Sequence, residues 1–158
     1  MSIANPAGSR TSGLSAPRGG SLVDLMVPAE QREAVCAAVD RRVECSDRNA
    51  CDVELLVVGG FSPLRGFMHQ EDYEAVVERH RTSSGLLFGL PIVFDTDDDT
   101  IAPGQRLLLT HKGQELAVFT VESRWEPDKV QEALGCYGTT SLEHPAVRMI
   151  ACERGRFY

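Results

Sequence analysis

Histidines, clustered carboxylates, cysteines and glycine-rich turns are the features of this chain that could do chemistry, and their spacing limits what that chemistry can be. The histidines stand at 69, 80, 111 and 144. A zinc pair on one helix face, or a two-histidine nucleotidyl-transfer signature, needs partners three or four residues apart, and no two of these satisfy that. Each is therefore read as structural. His80, between Arg79 and Arg81, is the one small basic group; it could meet an anion or a partner's acidic face, or stabilise a helix C-terminus through the dipole.

Asp95, Asp97 and Asp99 begin like a calcium loop. The sixth position is Thr100 where the turn needs Gly, and the twelfth is Arg106 where a bidentate Glu is needed, so an acidic, solvated loop joining two strands is expected instead. Gly59 to Gly66 is rich in glycine, but Pro63 removes an amide that would face a phosphate. No Lys-Ser or Lys-Thr follows, and neither G-x-x-x-x-G-K-[ST] nor G-x-G-x-x-G occurs in the chain. A structural turn is the simpler reading. Cys36, Cys45, Cys51, Cys136 and Cys152 contain no C-x-x-C pair and are read as reduced thiols, mostly buried. Ser-His-Asp or Cys-His sets converge in space rather than in sequence, and nothing here singles one out.

The elements that would carry these residues follow from periodicity and punctuation. Residues 1–20 are rich in Ser, Gly, Pro and Ala, so a flexible leader is expected, because such a segment cannot offset its ordering entropy by packing. Pro28 predicts a first helix turn, with the helix reaching about residue 40. A short helix is predicted over 52–58 and ended by Gly59 and Gly60; Ser62 and Pro63 suit the start of a brief turn, and a third helix is predicted over 71–79. Strands are predicted over 90–94, 106–110 and 115–122, with Lys112-Gly113 as a hairpin turn. Pro127 and Gly135 bracket one more short helix, and 137–158 reads as turns with short extended pieces. This order, without β-α-β alternation, implies an α+β domain around a small, mostly antiparallel sheet or barrel and disfavours a Rossmann-type sheet.

Size and charge narrow the class. A chain of 158 residues suffices for one domain that buries about 68–70% of its unfolded surface. With 42% hydrophobic and 25% charged residues it is an ordinary globular composition rather than a disordered or fibrous one. The net charge of -7 repels phosphate backbones and disfavours broad nucleic-acid binding. Its apolar runs are far shorter than the ~20 residues that span a bilayer, and no secretory signal pattern opens the chain, which makes a cytosolic protein the expectation.

The run Gly59-Gly60-Phe61-Ser62-Pro63-Leu64-Arg65-Gly66-Phe67-Met68, followed by Asp72-Tyr73, resembles the N-terminal domain of sulfate adenylyltransferases, the ATP sulfurylases. The match continues through Leu90-Pro91-Ile92, Pro127-Asp128-Lys129, Glu132-Ala133, Tyr137-Gly138-Thr139-Thr140 and His144-Pro145-Ala146-Val147 in the family's order. Pro17-Arg18-Gly19-Gly20-Ser21-Leu22-Val23 resembles the family's start, with Arg18 where the family usually has His. The resemblance implies a PUA-like fold, a small β pseudobarrel with flanking helices. It also implies a place in an enzyme that makes adenosine 5′-phosphosulfate and pyrophosphate from ATP and sulfate, with magnesium.

In that family the active site lies in the next domain, on a Gln-x-Arg-Asn-Pro motif and paired histidines, and this sequence contains no such motif. The resemblance therefore carries over no catalytic, cofactor-binding or metal residue. It makes the catalytic domain of the same enzyme the expected partner, in a homo-oligomer, and the stop at Arg156-Phe157-Tyr158 suits a cut at a domain boundary. Phe61, Leu64, Arg65, Phe67 and Met68 are the candidate interdomain contacts: the apolar four either form a partly exposed patch or are ordinary core, and Arg65 is placed to bridge to the neighbour. The alternative is a stand-alone PUA-like binding or regulatory module, possible partners including RNA.

Overall fold

Three consecutive leucines organise the sheet. Leu107, Leu108 and Leu109 are each buried to 1% exposure or less, so the strand that carries them, β2 (Arg106–His111), is covered on both faces. The structure, a computed structural model, describes residues 16–158. β2 turns into β3 (Gln114–Thr120) through Lys112 (φ 48°) and Gly113 (φ 78°). Two successive left-handed residues give the two-residue hairpin the right-handed twist of its strands, as the Lys-Gly pair predicts. On its other side β2 pairs in parallel with β1 (Arg41–Glu44), giving a three-stranded mixed sheet ordered β1-β2-β3.

β1 was not legible in the sequence, and the segment 90–94 is not a strand of this sheet. Ile92, Val93 and Phe94 are extended and buried, but the Ile92 carbonyl accepts from the Met68 amide at 2.8 Å rather than from a ladder. The expected mostly antiparallel sheet is thus corrected to one parallel and one antiparallel pairing. β3 ends at Thr120, two residues before its predicted limit.

The helices hold more closely to expectation. A 3-10 turn at Ala29–Gln31 leads into α1 (Arg32–Ala37), which stops early because the Asp40 amide already donates to the Arg106 carbonyl. α2 (Asp47–Val57) begins five residues before its predicted start, since Ser46 Oγ caps it by accepting from the Asn49 amide at 3.1 Å. Asn49, Ala50, Val53 and Leu56 form its buried stripe, which faces the sheet through Leu107, Leu109 and Val121. α3 (Gln70–Arg79) is nearly as predicted, with Tyr73, Val76 and Val77 inward.

α4 (Lys129–Tyr137) runs through Gly135, the predicted stop, and ends instead at Gly138 with φ 69°. Gly135 serves packing: a Cβ there would lie 2.2 Å from the Val77 carbonyl oxygen, so its absence lets α3 and α4 touch. α5 (Pro145–Cys152) replaces the turns and extended pieces expected over 137–158, with Val147 and Ile150 on its buried face. Of the predicted leader, residues 1–15 lie outside the described residues. The part that follows touches the body, since Arg18 Nη1 donates to the Leu87 carbonyl.

Candidate functional site

The loop between α2 and α3 carries the five candidate contact residues. Gly59 starts it with φ 80°, where any Cβ would strike the Val23 carbonyl oxygen at 2.3 Å, so only glycine lets the loop cross the N-terminal segment so closely. Ser62, expected to begin a turn, also ties the loop down: its buried hydroxyl donates to the Gly59 carbonyl and accepts from the Val23 amide. Met68 is 4% exposed and belongs to the core, one of the two readings open for the apolar four. Phe61 and Leu64 are half-buried against Leu56, Val76, Phe88 and Ile92. Phe67 links that cluster to the one under the sheet, with its ring 5.7 Å from Phe94 and 5.5 Å from Phe119.

Arg65 differs from its neighbours. It is exposed and has no hydrogen-bond or ion-pair partner among the described residues. With Gly66 and Phe67 it lines two clefts at once. One, of about 770 Å³, runs between the loop and residues 118–125; the other, of about 310 Å³, is bounded by Leu25, Met26, Val27, α1 and β3. Large apolar side chains left in solvent lie mainly elsewhere: Leu22, Met26 and Val27, with Leu55 and Val58 beside Gly59 and Gly60. Apolar character begins in the sequence at Leu22, Val23, Leu25 and Val27, but among these four only Val23 is buried, which residue type alone does not reveal.

The other residues singled out for chemistry are built into the scaffold. Asp95 pairs with Arg48 and accepts from the Gly155 amide at 2.7 Å, and Asp97 accepts from the Arg156 amide at 2.8 Å. Asp98 takes Arg41 and the Thr100 hydroxyl, which together with the Thr100 amide hold its carboxyl below the usual range. The acidic stretch is exposed at Asp97 and Asp99, as expected of a solvated loop, and through Asp95 and Asp97 it also clasps the chain's last residues. No group of three or more potential metal ligands occurs among the described residues.

The histidines are dispersed. His69 meets Glu122 at 3.1 Å, and His111 lies between the Cys45 carbonyl and Asp47. His144 stands at the N-cap position of α5 without a side-chain bond to the helix, and its ring packs on Tyr137. His80 is the left-handed C-cap of α3 (φ 54°), with its Nδ1 3.2 Å from the Gly89 carbonyl oxygen. Its place is thus the helix C-terminus, one of its two readings. Burial raises the Cys45 and Cys136 thiols to about 11, which keeps both protonated and unreactive near neutrality. The five cysteines are free.

A polar cluster that no sequence signal marked lies behind α4. Glu132, only 1% exposed, accepts from Tyr73 Oη at 3.1 Å, Tyr158 Oη at 2.9 Å and Arg154 at 2.5 Å. Burial and the neighbouring carboxylate push both tyrosines well above their ordinary values. Burial opposes the Arg154 charge, but Glu132 and Tyr158 outweigh it and keep the guanidinium protonated. Tyr73, Trp125 and Tyr158 stack around the cluster at 5.6–6.2 Å between ring centroids. Charges so enclosed hold elements together and are closed to substrate.

Chemically, most of the cations around the sheet are engaged by carboxylates of the chain itself. Bringing two anions together requires convergent cations, and here Arg32 and Arg42 are bound to Glu115, Arg41 to Asp98, and Arg48 to Asp52 and Asp95. No helix among the described residues is long and apolar enough to cross a membrane.

A family model described as a PUA-like domain matches residues 15–158. A sulfate adenylyltransferase of Neurospora crassa is 41% identical over 152 residues, covering 90% of this chain and 26% of its own length. One from Nostoc punctiforme is 36% identical over 141 residues, covering 85% and 36%. The chain thus spans about a quarter to a third of these relatives, and it matches their N-terminal part. Among solved structures, a hexameric APS kinase from Thiobacillus denitrificans aligns with a TM-score of 0.64 and 30% identity over 73% of this chain and 24% of that one.

Proposed function

Because the chain belongs to the PUA-like domain family, a fold that hosts sites without dictating them, we propose that it serves as the non-catalytic N-terminal scaffold of a sulfate adenylyltransferase. One observation carries the reading: about nine-tenths of this chain matches about a quarter of proteins with that name, at 38% identity to the Phaeosphaeria nodorum relative, for example. In such an enzyme a sulfate oxygen attacks the α-phosphorus of ATP and pyrophosphate leaves. ATP, magnesium and sulfate are handled by the remaining three-quarters of the protein. This chain contributes a rigid block, and the loop meets the catalytic domain through Phe61, Leu64 and Phe67 and chiefly through Arg65, with Met68 anchoring it to the core. The enzyme works in the cytoplasm as a homo-oligomer, a reading supported by the hexameric state named for the aligned kinase.

An RNA-associated module would need a basic face with stacking aromatics. The chain is at -7, and its aromatic cluster of Tyr73, Trp125 and Tyr158 surrounds a buried carboxylate instead.

The test is a chimera in which this chain replaces the matching 152 residues of the Neurospora crassa protein. Pyrophosphate release from ATP and sulfate is expected at a rate within tenfold of the parent, with none above background from the isolated chain. An inactive chimera whose two parts melt independently, or turnover by the isolated chain, overturns the reading.

A further inference from the structure

β3 is an edge strand, and the direction of its free hydrogen-bonding groups follows from its neighbours. The Arg106 and Thr110 carbonyls accept from the Asp40 and Cys45 amides on the β1 side, so Leu107 and Leu109 must turn their groups to β3. Their partners Phe119 and Ala117 answer them, and the Val121 amide continues the same alternation by donating to Gln105. Val118 and Thr120 therefore direct N–H and C=O groups away from the sheet, with no partner among the described residues.

Natural edges are usually blunted by lysine, proline, or a covering loop. β3 reads Gln-Glu-Leu-Ala-Val-Phe-Thr, without either residue, and its one charge, Glu115, is neutralised by Arg32 and Arg42. Its bulge, beside the hairpin, leaves Ala117–Thr120 in regular register with β2. From Leu116 to Phe119 every residue is only half-buried. The two clefts described above flank this strand and meet at Arg65, Gly66 and Phe67. Together they make one groove, apolar on the α1 side and mixed on the other, where His69, Asp72, Glu122 and Arg124 join the lining, with hydrogen-bonding groups along β3 and the Arg65 guanidinium, unpaired among the described residues, midway.

We infer that this groove takes an extended segment of the catalytic domain, which adds as a fourth strand along Val118–Thr120 and places a carboxylate on Arg65. Only an extended polypeptide presents donors and acceptors at the spacing that Val118 and Thr120 require, with alternate side chains for the two clefts. The charge of Arg65, in a groove where Arg32 is bound to Glu115 and Arg124 to the Asp99 and Ile101 carbonyls, selects an acidic residue. The inference rests on the scaffold reading and adds to it the edge that is bound and the chemistry of the strand.

Hydrogen exchange compares the isolated chain with the Neurospora crassa chimera. The Val118 and Thr120 amides are expected to exchange at least tenfold more slowly in the chimera. Val118→Pro, which removes an outward amide and no β2 bond, is expected to leave the melting of the isolated chain nearly unchanged and to cut chimera activity at least tenfold. Arg65→Glu is expected to lower that activity and Arg65→Lys to retain most of it. An active chimera whose Val118 and Thr120 amides exchange as in the isolated chain overturns the strand pairing and spares the scaffold reading. An inactive chimera with independent melting overturns both. Concentration-dependent protection of the same amides in the isolated chain, showing a second copy on the edge, also overturns it.

Discussion

The back of α4 and the edge of β3 treat polar groups in opposite ways. Behind α4, Glu132, Arg154, Tyr73 and Tyr158 are enclosed and bonded to one another; at the edge of β3, Val118 and Thr120, and Arg65 on the loop beside it, have no partner among the described residues. A buried ion pair restrains the fold strongly because each charge depends on the other. An unsatisfied edge contributes nothing to the fold of the domain and remains available for association. The difference separates residues that make this block rigid from those that the proposal assigns to its partner.

The comparison fails first if the enclosed cluster proves dispensable. Glu132→Ala leaves the Arg154 charge buried and should cost about 3–5 kcal/mol, which lowers Tm by roughly 6–20 °C in thermal melts followed by circular dichroism. Replacing Glu132 and Arg154 together with methionine should recover most of that loss, which would show that the penalty comes from an orphaned charge. Next, Gly135→Ala should cost about 1–3 kcal/mol by forcing α4 away from Val77, measurable by urea titration.

Smaller effects sharpen the contrast. Asp128 accepts from the Val130 and Gln131 amides at the start of α4, and Asp128→Ala should cost about 1 kcal/mol in the same titration. At the bottom of the scale, Arg65→Ala should change the stability of the isolated chain by less than about 0.5 kcal/mol, since Arg65 is exposed and makes no hydrogen bond or ion pair among the described residues. A larger loss would place Arg65 in the scaffold and remove the distinction between the two regions.

Local signals were legible where local chemistry decides structure. The Lys112-Gly113 hairpin, α3 and the helix start after Pro28 each follow from a few adjacent residues. β1 was not, because Arg41-Arg42-Val43-Glu44 has little apolar character and is a strand only through its pairing with Leu107–Thr110. α5 was hidden by its brevity and by the turn-rich residues before it, and Gly135 read as a stop when its use is contact with Val77. At the candidate site, the apolar type of Met68 and Phe67 was plain. Their depth depends on Ile92 and Phe119, far along the chain. The Glu132 cluster escaped notice for the same reason: Tyr73 lies 59 residues from Glu132 and Tyr158 lies 26 on its other side, so its members join only in the folded state.

The parallel pairing of β1 with β2 also sets an order of events. About sixty residues separate the two strands, including α2 and α3, so a growing polypeptide has finished β1 long before its partner exists. At ~5–20 residues per second that delay is about 3–12 s during synthesis. The β2–β3 hairpin closes locally as soon as it is made, and β1 must then be gathered from a distance. Long-range parallel closure of this kind is intrinsically slow and exposes unpaired strand to mispairing while it waits.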